Sequence, residues 1–268
     1  GIAVHHKPVP TARRRQRAGV PVEVCESGEG RALLLGTDTV QSLMNVGHPA
    51  ELVLSYTRAM MGGLLFYRQP KRILHIGLGG GSLLRFCYEY LPESVHTVVE
   101  LHAEVVAAAR QWFELPEEGE RLTIHVMDGV AFMAQCEQQF DLILVDAFDG
   151  VEIVADTVRE PFLHDCRQAL SAEGVLSLNF WRKDPFFERR FQTVTRVFEG
   201  WAFQLPATTH GNVAILAMRP PIPSVLRLDR LATEVNTLTA QCNIEFDAFV
   251  SRLKAENPHT AQRLLPRQ

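Results

Sequence analysis

The sequence predicts an α/β fold in which a mostly parallel β-sheet carries helices on both faces. Hydrophobic residues make up 46% of the 268 residues, enough to bury a sizeable core. After residue 70, short apolar runs alternate with amphipathic helical segments, a pattern typical of right-handed β-α-β crossovers. Before residue 50, apolar runs separated by glycine-containing turns instead indicate a small antiparallel β-domain.

Four segments follow from these patterns. Residues 1–20 contain five lysine and arginine residues and no acid, and we interpret them as a basic, mobile arm. Contact of this arm with nucleic acid or anionic lipid is the alternative, although no aromatic residue interleaves the arginines. Residues 21–48 form the small β-domain, residues 49–220 the main domain and residues 221–268 a helical extension.

The elements of the main domain can be assigned in order. Residues 49–67 have helical periodicity, and a helix is expected there. Pro49 suits its first turn, where the missing N–H loses no hydrogen bond. Strands are predicted at residues 72–77, 96–101, 122–127, 140–145 and 174–180, and the helices between and after them at residues 82–90, 103–113, 130–135, 159–170 and 185–198. Two last strands, at residues 201–205 and 213–218, are too close together for an intervening helix and should form an antiparallel hairpin at the sheet edge. This order is typical of a class I methyltransferase-like Rossmann sheet.

Composition excludes several other classes of protein. The formal net charge is −4, and no apolar stretch is long enough to cross a membrane as a helix. The five cysteines are scattered without a C-x-x-C pair, and the ten histidines contain no H-E-x-x-H motif. We therefore expect a cytoplasmic protein with reduced cysteines, no metal site, and neither membrane nor nucleic acid as a partner.

A glycine-rich loop follows the first strand of the main domain and opens the next helix. Gly77, Gly79 and Gly81 are expected where the backbone turns sharply and a Cβ would strike a ligand. A dinucleotide fingerprint requires glycine at the sixth position, which is Ser82 here. The spacing suits a ligand without a pyrophosphate, such as S-adenosylmethionine, and an ordinary tight turn is the alternative.

Acidic residues end the next three strands. Glu100 is placed to accept hydrogen bonds from both hydroxyls of a ribose. Asp128, which precedes Gly129, is placed to accept from an adenine amino group or to cap the following helix. Asp146 and Asp149 follow the fourth strand, where carboxylates can hold a cationic group and accept its proton.

Together these residues resemble the spermidine synthase (polyamine aminopropyltransferase) family. The similarity extends from about residue 30 to residue 218 and includes Gln41 and Tyr56 as well as the loop and the acids. This family transfers an aminopropyl group from decarboxylated S-adenosylmethionine to an amine such as putrescine, and methylthioadenosine is released. The resemblance implies that Gln41 lines the nucleoside pocket, that Asp146 receives the amine proton, and that Tyr56 and Asp149 orient the amine. It also implies a homodimer.

The sequence departs from the family pattern at four positions. Gly80 and His102 stand where the family has acids, Gly150 replaces a proline, and Arg58 replaces the glutamate of a Tyr-x-Glu motif. The changes affect amine binding and leave the nucleoside pocket intact. The sequence therefore predicts a divergent aminopropyltransferase with a small-molecule amine substrate, decarboxylated S-adenosylmethionine as co-substrate and no permanently bound cofactor. An S-adenosylmethionine-dependent methyltransferase and a non-catalytic nucleoside-binding protein are the alternatives.

Overall fold

The computed structural model describes residues 5–8, 20–37, 39–147, 155–209, 211–220, 222 and 227–268. These residues form a four-stranded sheet, a seven-stranded sheet and eight α-helices. The strands are β1 (His5–Pro8), β2 (Val22–Ser27), β3 (Gly30–Leu35), β4 (Val40–Asn45), β5 (Arg72–Ile76), β6 (Val95–Glu100), β7 (Leu122–Val126), β8 (Phe140–Val145), β9 (Leu170–Trp181), β10 (Ala202–Pro206) and β11 (Asn212–Met218). The helices are α1 (Ser55–Met60), α2 (Ser82–Tyr90), α3 (Ala103–Trp112), α4 (Gly129–Gln135), α5 (Glu160–Ala169), α6 (Phe187–Val197), α7 (Leu228–Cys242) and α8 (Phe246–Glu256).

The smaller sheet is antiparallel, in the order β1-β2-β3-β4. Strand β1 lies within the segment that the sequence analysis interpreted as a mobile arm, so that interpretation does not hold for residues 5–8. Strand pairing uses main-chain groups and requires no apolar pattern, which is why the composition did not reveal β1. The sheet packs on α3 through a cluster that contains Val24, Leu33, Met44, Val105, Ala108 and Phe113.

The larger sheet has the order β10-β11-β9-β8-β5-β6-β7. Strands β9, β8, β5, β6 and β7 are parallel, whereas β11 is antiparallel to both β9 and β10. This topology confirms the predicted class I methyltransferase-like Rossmann sheet and its terminal hairpin. Chain order reverses at β5, between β6 and β8, so the carboxyl ends of these strands form the crevice where such sheets bind ligands.

Alternate residues of the central strands fill two separate cores. On β5, Ile73 faces a core shared with α1, α2, α7 and α8, while Leu74 faces a core shared with α4, α5 and α6. Helices therefore cover both faces, as the alternating sequence pattern predicted. None of the described helices is long and apolar enough to span a membrane. The five cysteines all lie in the described part of the chain, and none of them forms a disulfide bond there.

The helix predicted over residues 49–67 is shorter than expected. It begins at Ser55 and continues from Met61 to Leu65 as a 3₁₀ helix. Two carbonyl oxygens ahead of it are taken by arginine side chains, because Arg85 Nε donates to Pro49 O (2.8 Å) and Arg58 Nη1 donates to Leu52 O (2.9 Å). These contacts occupy carbonyl groups that a helix over residues 49–54 would use for its own hydrogen bonds.

Candidate active site

The glycine loop is held against two neighbouring strands. Gly77 N donates to Val99 O on β6 (2.9 Å), and Asp146 N donates to Ile76 O on β5 (2.8 Å). Gly77 has a φ of +93°, and a Cβ on it would lie 2.3 Å from the carbonyl oxygen of Asp146. Only glycine fits at this position, so the end of β5 comes into direct backbone contact with the end of β8.

The other predicted glycines of the loop differ in their surroundings. A Cβ on Gly79 would meet no atom within 4 Å, so this residue borders open space at the mouth of the sheet. Gly81 directly precedes α2, and a Cβ there would lie 2.7 Å from Leu115 Cδ1. The loop is therefore in tight contact with protein at Gly77 and Gly81 and open at Gly79.

Glu100 is buried at the end of β6 and anchors the loop. Its Oε1 accepts from Leu78 N (2.9 Å), and its Oε2 accepts from His102 N (3.0 Å). Each carboxylate oxygen has two lone pairs, so one on each oxygen is left for a further donor. The geometry thus allows Glu100 to bind two hydroxyl groups while it holds the loop in place.

Asp128 and Gly129 end the third strand of the predicted series. Asp128 is exposed and caps α4, since its Oδ1 accepts from Val130 N (3.2 Å). Its role towards an adenine stays a prediction. A Cβ on Gly129 would lie 2.7 Å from Ile76 Cγ2, so Gly129 lets the start of α4 approach β5 closely.

Asp146 directly follows β8 and contacts the helix-borne tyrosine. Tyr56 Oη lies 3.0 Å from Asp146 Oδ2 and 3.0 Å from the main-chain oxygen of Gln41 on β4. The phenol has one proton, so it can donate to only one of these acceptors at a time. The structure brings the predicted residues Gln41, Tyr56 and Asp146 together, whereas Asp149 lies outside the described residues.

The second oxygen of Asp146 binds an amide that the sequence analysis missed. Asn179 Nδ2 on β9 donates to Asp146 Oδ1 (3.0 Å), and Asn212 Nδ2 on β11 donates to Asn179 Oδ1 (3.0 Å). We call Tyr56, Asp146, Asn179 and Asn212 the polar chain. The sequence feature that could have revealed this contact is Asn179 itself, because it is an amide within the otherwise apolar end of a central strand.

The surroundings favour a proton on Asp146. Both Asp146 and Tyr56 retain some solvent-accessible surface but lie deep among protein atoms. Loss of solvent raises the pKa of Asp146; hydrogen bonds from Asn179 and Tyr56 oppose this shift, and the charge of Glu100 adds to it. Loss of solvent and the neighbouring Asp146 also raise the pKa of Tyr56, so its phenol stays protonated. Asp146 is therefore a carboxylate with increased affinity for a proton.

Gly80 stands where the resembled family has an acid, and its space is filled from the N-terminal sheet. A Cβ on Gly80 would lie 2.6 Å from Ser42 Oγ and 3.3 Å from Phe113 Cδ1. Ser42 Oγ in turn lies 3.0 Å from Ser82 Oγ, and both serines are buried. Ser42 and Gly80 are thus complementary, and a carboxylate at residue 80 requires Ser42 to move.

The other two described departures also have partners. Arg58 Nη2 forms an ion pair with Glu245 Oε2 (2.6 Å) and so ties α1 to the residue before α8. His102 Nδ1 lies 3.5 Å from Glu104 Oε1 on α3. Neither contact includes a residue of the polar chain. Within the described ranges, no group of three His, Cys, Asp or Glu side chains could hold a metal ion.

Comparisons with known proteins agree with the resemblance. Residues 54–208 match the spermine/spermidine synthase domain family. The chain is 45% identical over 257 residues to a polyamine aminopropyltransferase of Chromobacterium violaceum, with 94% of this chain and 98% of that protein covered. It is 43% identical over 251 residues to a polyamine aminopropyltransferase of Neisseria meningitidis, with 93% and 95% covered.

A solved structure shares the fold. The crystal structure of a probable spermidine synthase from Corynebacterium glutamicum superimposes with a TM-score of 0.69 and 20% sequence identity. The match covers 96% of this chain and 100% of that one. At this level of identity the likeness supports the methyltransferase-like architecture, including the N-terminal sheet.

Proposed function

Because the chain belongs to the spermine/spermidine synthase family, we propose that it is a polyamine aminopropyltransferase. It transfers an aminopropyl group from decarboxylated S-adenosylmethionine to putrescine or a related amine and releases methylthioadenosine. The observation that carries this proposal is Asp146, a half-buried carboxylate at the mouth of the sheet that Tyr56 and Asn179 hold from two sides.

The nucleoside binds beside the glycine loop in this proposal. We assign the two ribose hydroxyls to Glu100, whose oxygens each retain a lone pair after binding Leu78 N and His102 N. We assign the adenine amino group to Asp128 and the wall of the pocket to Gln41. The open space beside Gly79 supports this position, because a ligand can approach the backbone there.

Asp146 prepares the amine for attack. An alkylamine has a pKa near ~10, so only about one molecule in a thousand carries a free lone pair at neutral pH. Asp146 takes one proton from the bound ammonium and so frees the nitrogen lone pair. The amine nitrogen then attacks the aminopropyl carbon next to the sulfonium; the C–N bond forms, the C–S electron pair returns to sulfur, and the product nitrogen keeps its two remaining protons. The raised pKa of Asp146 suits the proton transfer, because it increases the carboxylate's affinity for the proton.

Tyr56 adjusts to both states of Asp146. While Asp146 is ionised, the phenol donates to its Oδ2; once Asp146 has accepted a proton, the phenol can turn to the oxygen of Gln41. Both acceptors lie 3.0 Å away, so the switch requires only rotation of the hydroxyl. From the family resemblance, we assign Asp149 to orienting the amine together with Tyr56.

The reaction is tested with purified protein, decarboxylated S-adenosylmethionine and a panel of diamines and polyamines. We expect methylthioadenosine with at least one amine, and a decrease of about 10²–10⁴-fold in Asp146→Asn. Asp247→Asn, at an exposed position of α8, is the matched control and should retain full activity. Absence of methylthioadenosine with every amine contradicts the proposal. Turnover of intact S-adenosylmethionine to S-adenosylhomocysteine would instead support the methyltransferase alternative, which the glycine at residue 80 allows because no acid there repels the donor's carboxylate.

We further propose that the protein is a cytoplasmic homodimer. The five cysteines form no disulfide bond in the described part of the chain, which is consistent with a reducing compartment. The N-terminal sheet has a strand at each edge, β1 and β4, and an edge strand offers main-chain groups for pairing. Light scattering at micromolar concentration tests the dimer, and a monomeric mass contradicts it.

A further inference from the structure

The polar chain continues beyond the residue that contacts substrate in the proposed function. Asn179 lies opposite Ala214 in the antiparallel β9–β11 pair, and Asn212 is two residues before Ala214. Residues two apart on a strand share a face, so Asn212 is the diagonal neighbour of Asn179 on the same side of the sheet. This register joins Asp146 to the hairpin strand β11 through two consecutive amide contacts.

The direction of these contacts depends on the charge of Asp146. An ionised carboxylate can only accept, so Asn179 must present its Nδ2 to Asp146. The Oδ1 of Asn179 then points to Asn212, which donates to it. If the amide of Asn179 were reversed, its Oδ1 would face Asp146, and this contact would require a proton on the carboxylate. By donating to Asn179 Oδ1, Asn212 polarises this amide and strengthens the donation of Asn179 Nδ2 to an ionised Asp146.

We propose that Asn179 and Asn212 form a positioning relay that keeps Asp146 ionised and its carboxylate fixed in orientation before the amine binds. This inference rests on the proposed function, in which Asp146 receives the amine proton. Neither amide is assigned to contact the amine or the sulfonium, so both are positioning residues that act through Asp146.

The groups around Asp146 explain why an amide is needed on this side. Tyr56 on α1 donates to Oδ2 and is the other described side-chain donor to this carboxylate. Glu100 on β6 contributes a like charge, while Gly77 contributes no titratable group from β5. Burial and Glu100 both favour the protonated acid, whereas the hydrogen bonds from Asn179 and Tyr56 stabilise the ionised carboxylate.

The first test is the pH profile of two variants at the remote end of the relay. Asn212→Asp cannot donate to Asn179, competes with Asp146 for the Nδ2 donor of Asn179 and adds a negative charge. We expect the acidic limb of kcat/KM to move to higher pH by about one unit. Asn212→Leu removes the donor without adding charge and should shift the limb in the same direction by less. The KM for the nucleoside donor should be unchanged in both.

Gln204→Leu is the matched control. Gln204 is a half-buried amide on the adjacent strand β10, and it accepts from Arg182 instead of contacting the polar chain. Its pH profile should follow that of the unmodified protein. Urea unfolding of each variant checks that the fold is retained, and either Asn212 variant is sufficient if the other does not fold.

A second measurement separates this inference from the proposed function. The carboxyl carbon of Asp146 is titrated by ¹³C NMR in the full chain and assigned by its loss in Asp146→Asn. We expect Asn212→Asp to move this titration to higher pH. If it moves while the unmodified protein transfers no aminopropyl group to any amine, the proposed function fails and the relay stands. If transfer occurs but both Asn212 variants keep the original pH profile and titration, the relay is contradicted.

Discussion

The mouth of the main sheet has two halves that are built differently, and we name each after the ligand that the proposed function assigns to it. In the nucleoside half, formed by Gly77, Gly79, Gly81, Glu100 and Asp128, the important contacts involve the main chain. Gly77 meets the backbone of Asp146, and Glu100 accepts from two backbone N–H groups. In the amine half, which is the polar chain Tyr56, Asp146, Asn179 and Asn212, side chains contact side chains.

The departures from the family pattern lie beside these residues, and two of them have matching neighbours. Gly80 lies within the glycine loop, where Ser42 fills the space beside it, and Arg58 pairs with Glu245. Side-chain contacts can be replaced when the neighbours change as well, whereas a backbone contact with no room for a Cβ, such as that of Gly77, admits only glycine. The two halves therefore differ in how readily they accommodate a substitution.

The largest effect is expected for Gly77→Ala, which tests the rigidity of the nucleoside half. The new Cβ would lie 2.3 Å from a backbone oxygen, and the residue would be held at a φ of +93°. We expect a loss of more than about 4 kcal/mol in the free energy of unfolding, measured in urea. Gly79→Ala is the control: its φ is +55° but no atom lies within 4 Å, so only the left-handed conformation, about 1–2 kcal/mol, is unfavourable. Equal losses in the two variants would show that the contact with Asp146 O does not account for the lower stability of Gly77→Ala.

Acid should weaken the strands beneath the nucleoside half, where β5 and β6 carry a buried histidine pair. Ser94 Oγ donates to Leu91 O (2.6 Å) and so accepts from His96 Nε2 (2.7 Å). His96 Nδ1 is then the acceptor for His75 Nε2 (2.9 Å), which fixes both tautomers as neutral rings. Burial lowers the pKa of His75 to about 3; burial, together with the positive charges of His75 and Arg121, lowers that of His96 to about 2.

The sign of the pH dependence follows from these pKa values. An unfolded histidine titrates near ~6.5, so below that pH the unfolded chain takes up protons that the folded chain refuses. The pair's stability is complete above about pH 6.5 and declines by about 3 kcal/mol at pH 5.5. Urea unfolding at pH 7.5 and 5.5 measures it. The double variant His75→Gln, His96→Gln should be less stable at pH 7.5 and lose this part of the pH dependence; an unchanged slope contradicts the assignment.

A smaller effect is expected where the two sheets meet, at Ser42 and Gly80. In Gly80→Ala the Cβ would lie 2.6 Å from Ser42 Oγ, and overpacking of this kind reduces stability by about 1–3 kcal/mol. Ser42→Gly should restore most of that loss when the two substitutions are combined, which a double-mutant cycle in urea measures as a favourable coupling. Gly119→Ala, with no atom within 4 Å of its Cβ, is the control with little change. Additive losses would show that Ser42 and Gly80 are independent.

The two halves also differ in how far the sequence predicts them. Gly77, Glu100 and Asp128 each lie at the end of an apolar run, so alternation of strands and helices was enough to place them at one edge. The pairing of Asn179 with Asn212 depends on the register between β9 and β11, which no local pattern encodes. Strand β1 was missed for a related reason, because its pairing with β2 uses the main chain.

The start of α1 was predicted too early because the competing contacts come from distant residues. The carbonyl of Pro49 is bound by Arg85 on α2, and local propensity contains no information about that arginine. The proposed role of Asp149 rests on the family resemblance alone. Local motifs thus predicted the sheet and the position of Gly77, Glu100 and Asp128 at one edge of it, whereas contacts between distant side chains required the structure.

Tyr56→Phe tests whether the two halves act separately, and its effect is expected on activity instead of on stability. The variant loses the hydroxyl that donates to Asp146 Oδ2 but keeps the ring and the glycine loop. A hydrogen bond to a charged group contributes about 1.5–3 kcal/mol, so we expect kcat to fall at least roughly tenfold. Loss of this donor raises the pKa of Asp146 further, so the base is ionised only at higher pH and the acidic limb of kcat/KM moves up.

The affinity for methylthioadenosine, measured by calorimetry, is the readout that distinguishes the halves in this variant. It should be unchanged in Tyr56→Phe, because no contact of Glu100 or Gly77 involves the phenol. Tyr90→Phe, which removes a hydroxyl from a ring on α2 that packs on Phe86 (4.9 Å between centroids), is the control for loss of a phenol away from the site. If the affinity for the nucleoside instead falls in parallel with kcat, Tyr56 also supports the nucleoside site through its contact with Gln41 O, and the two halves do not act separately.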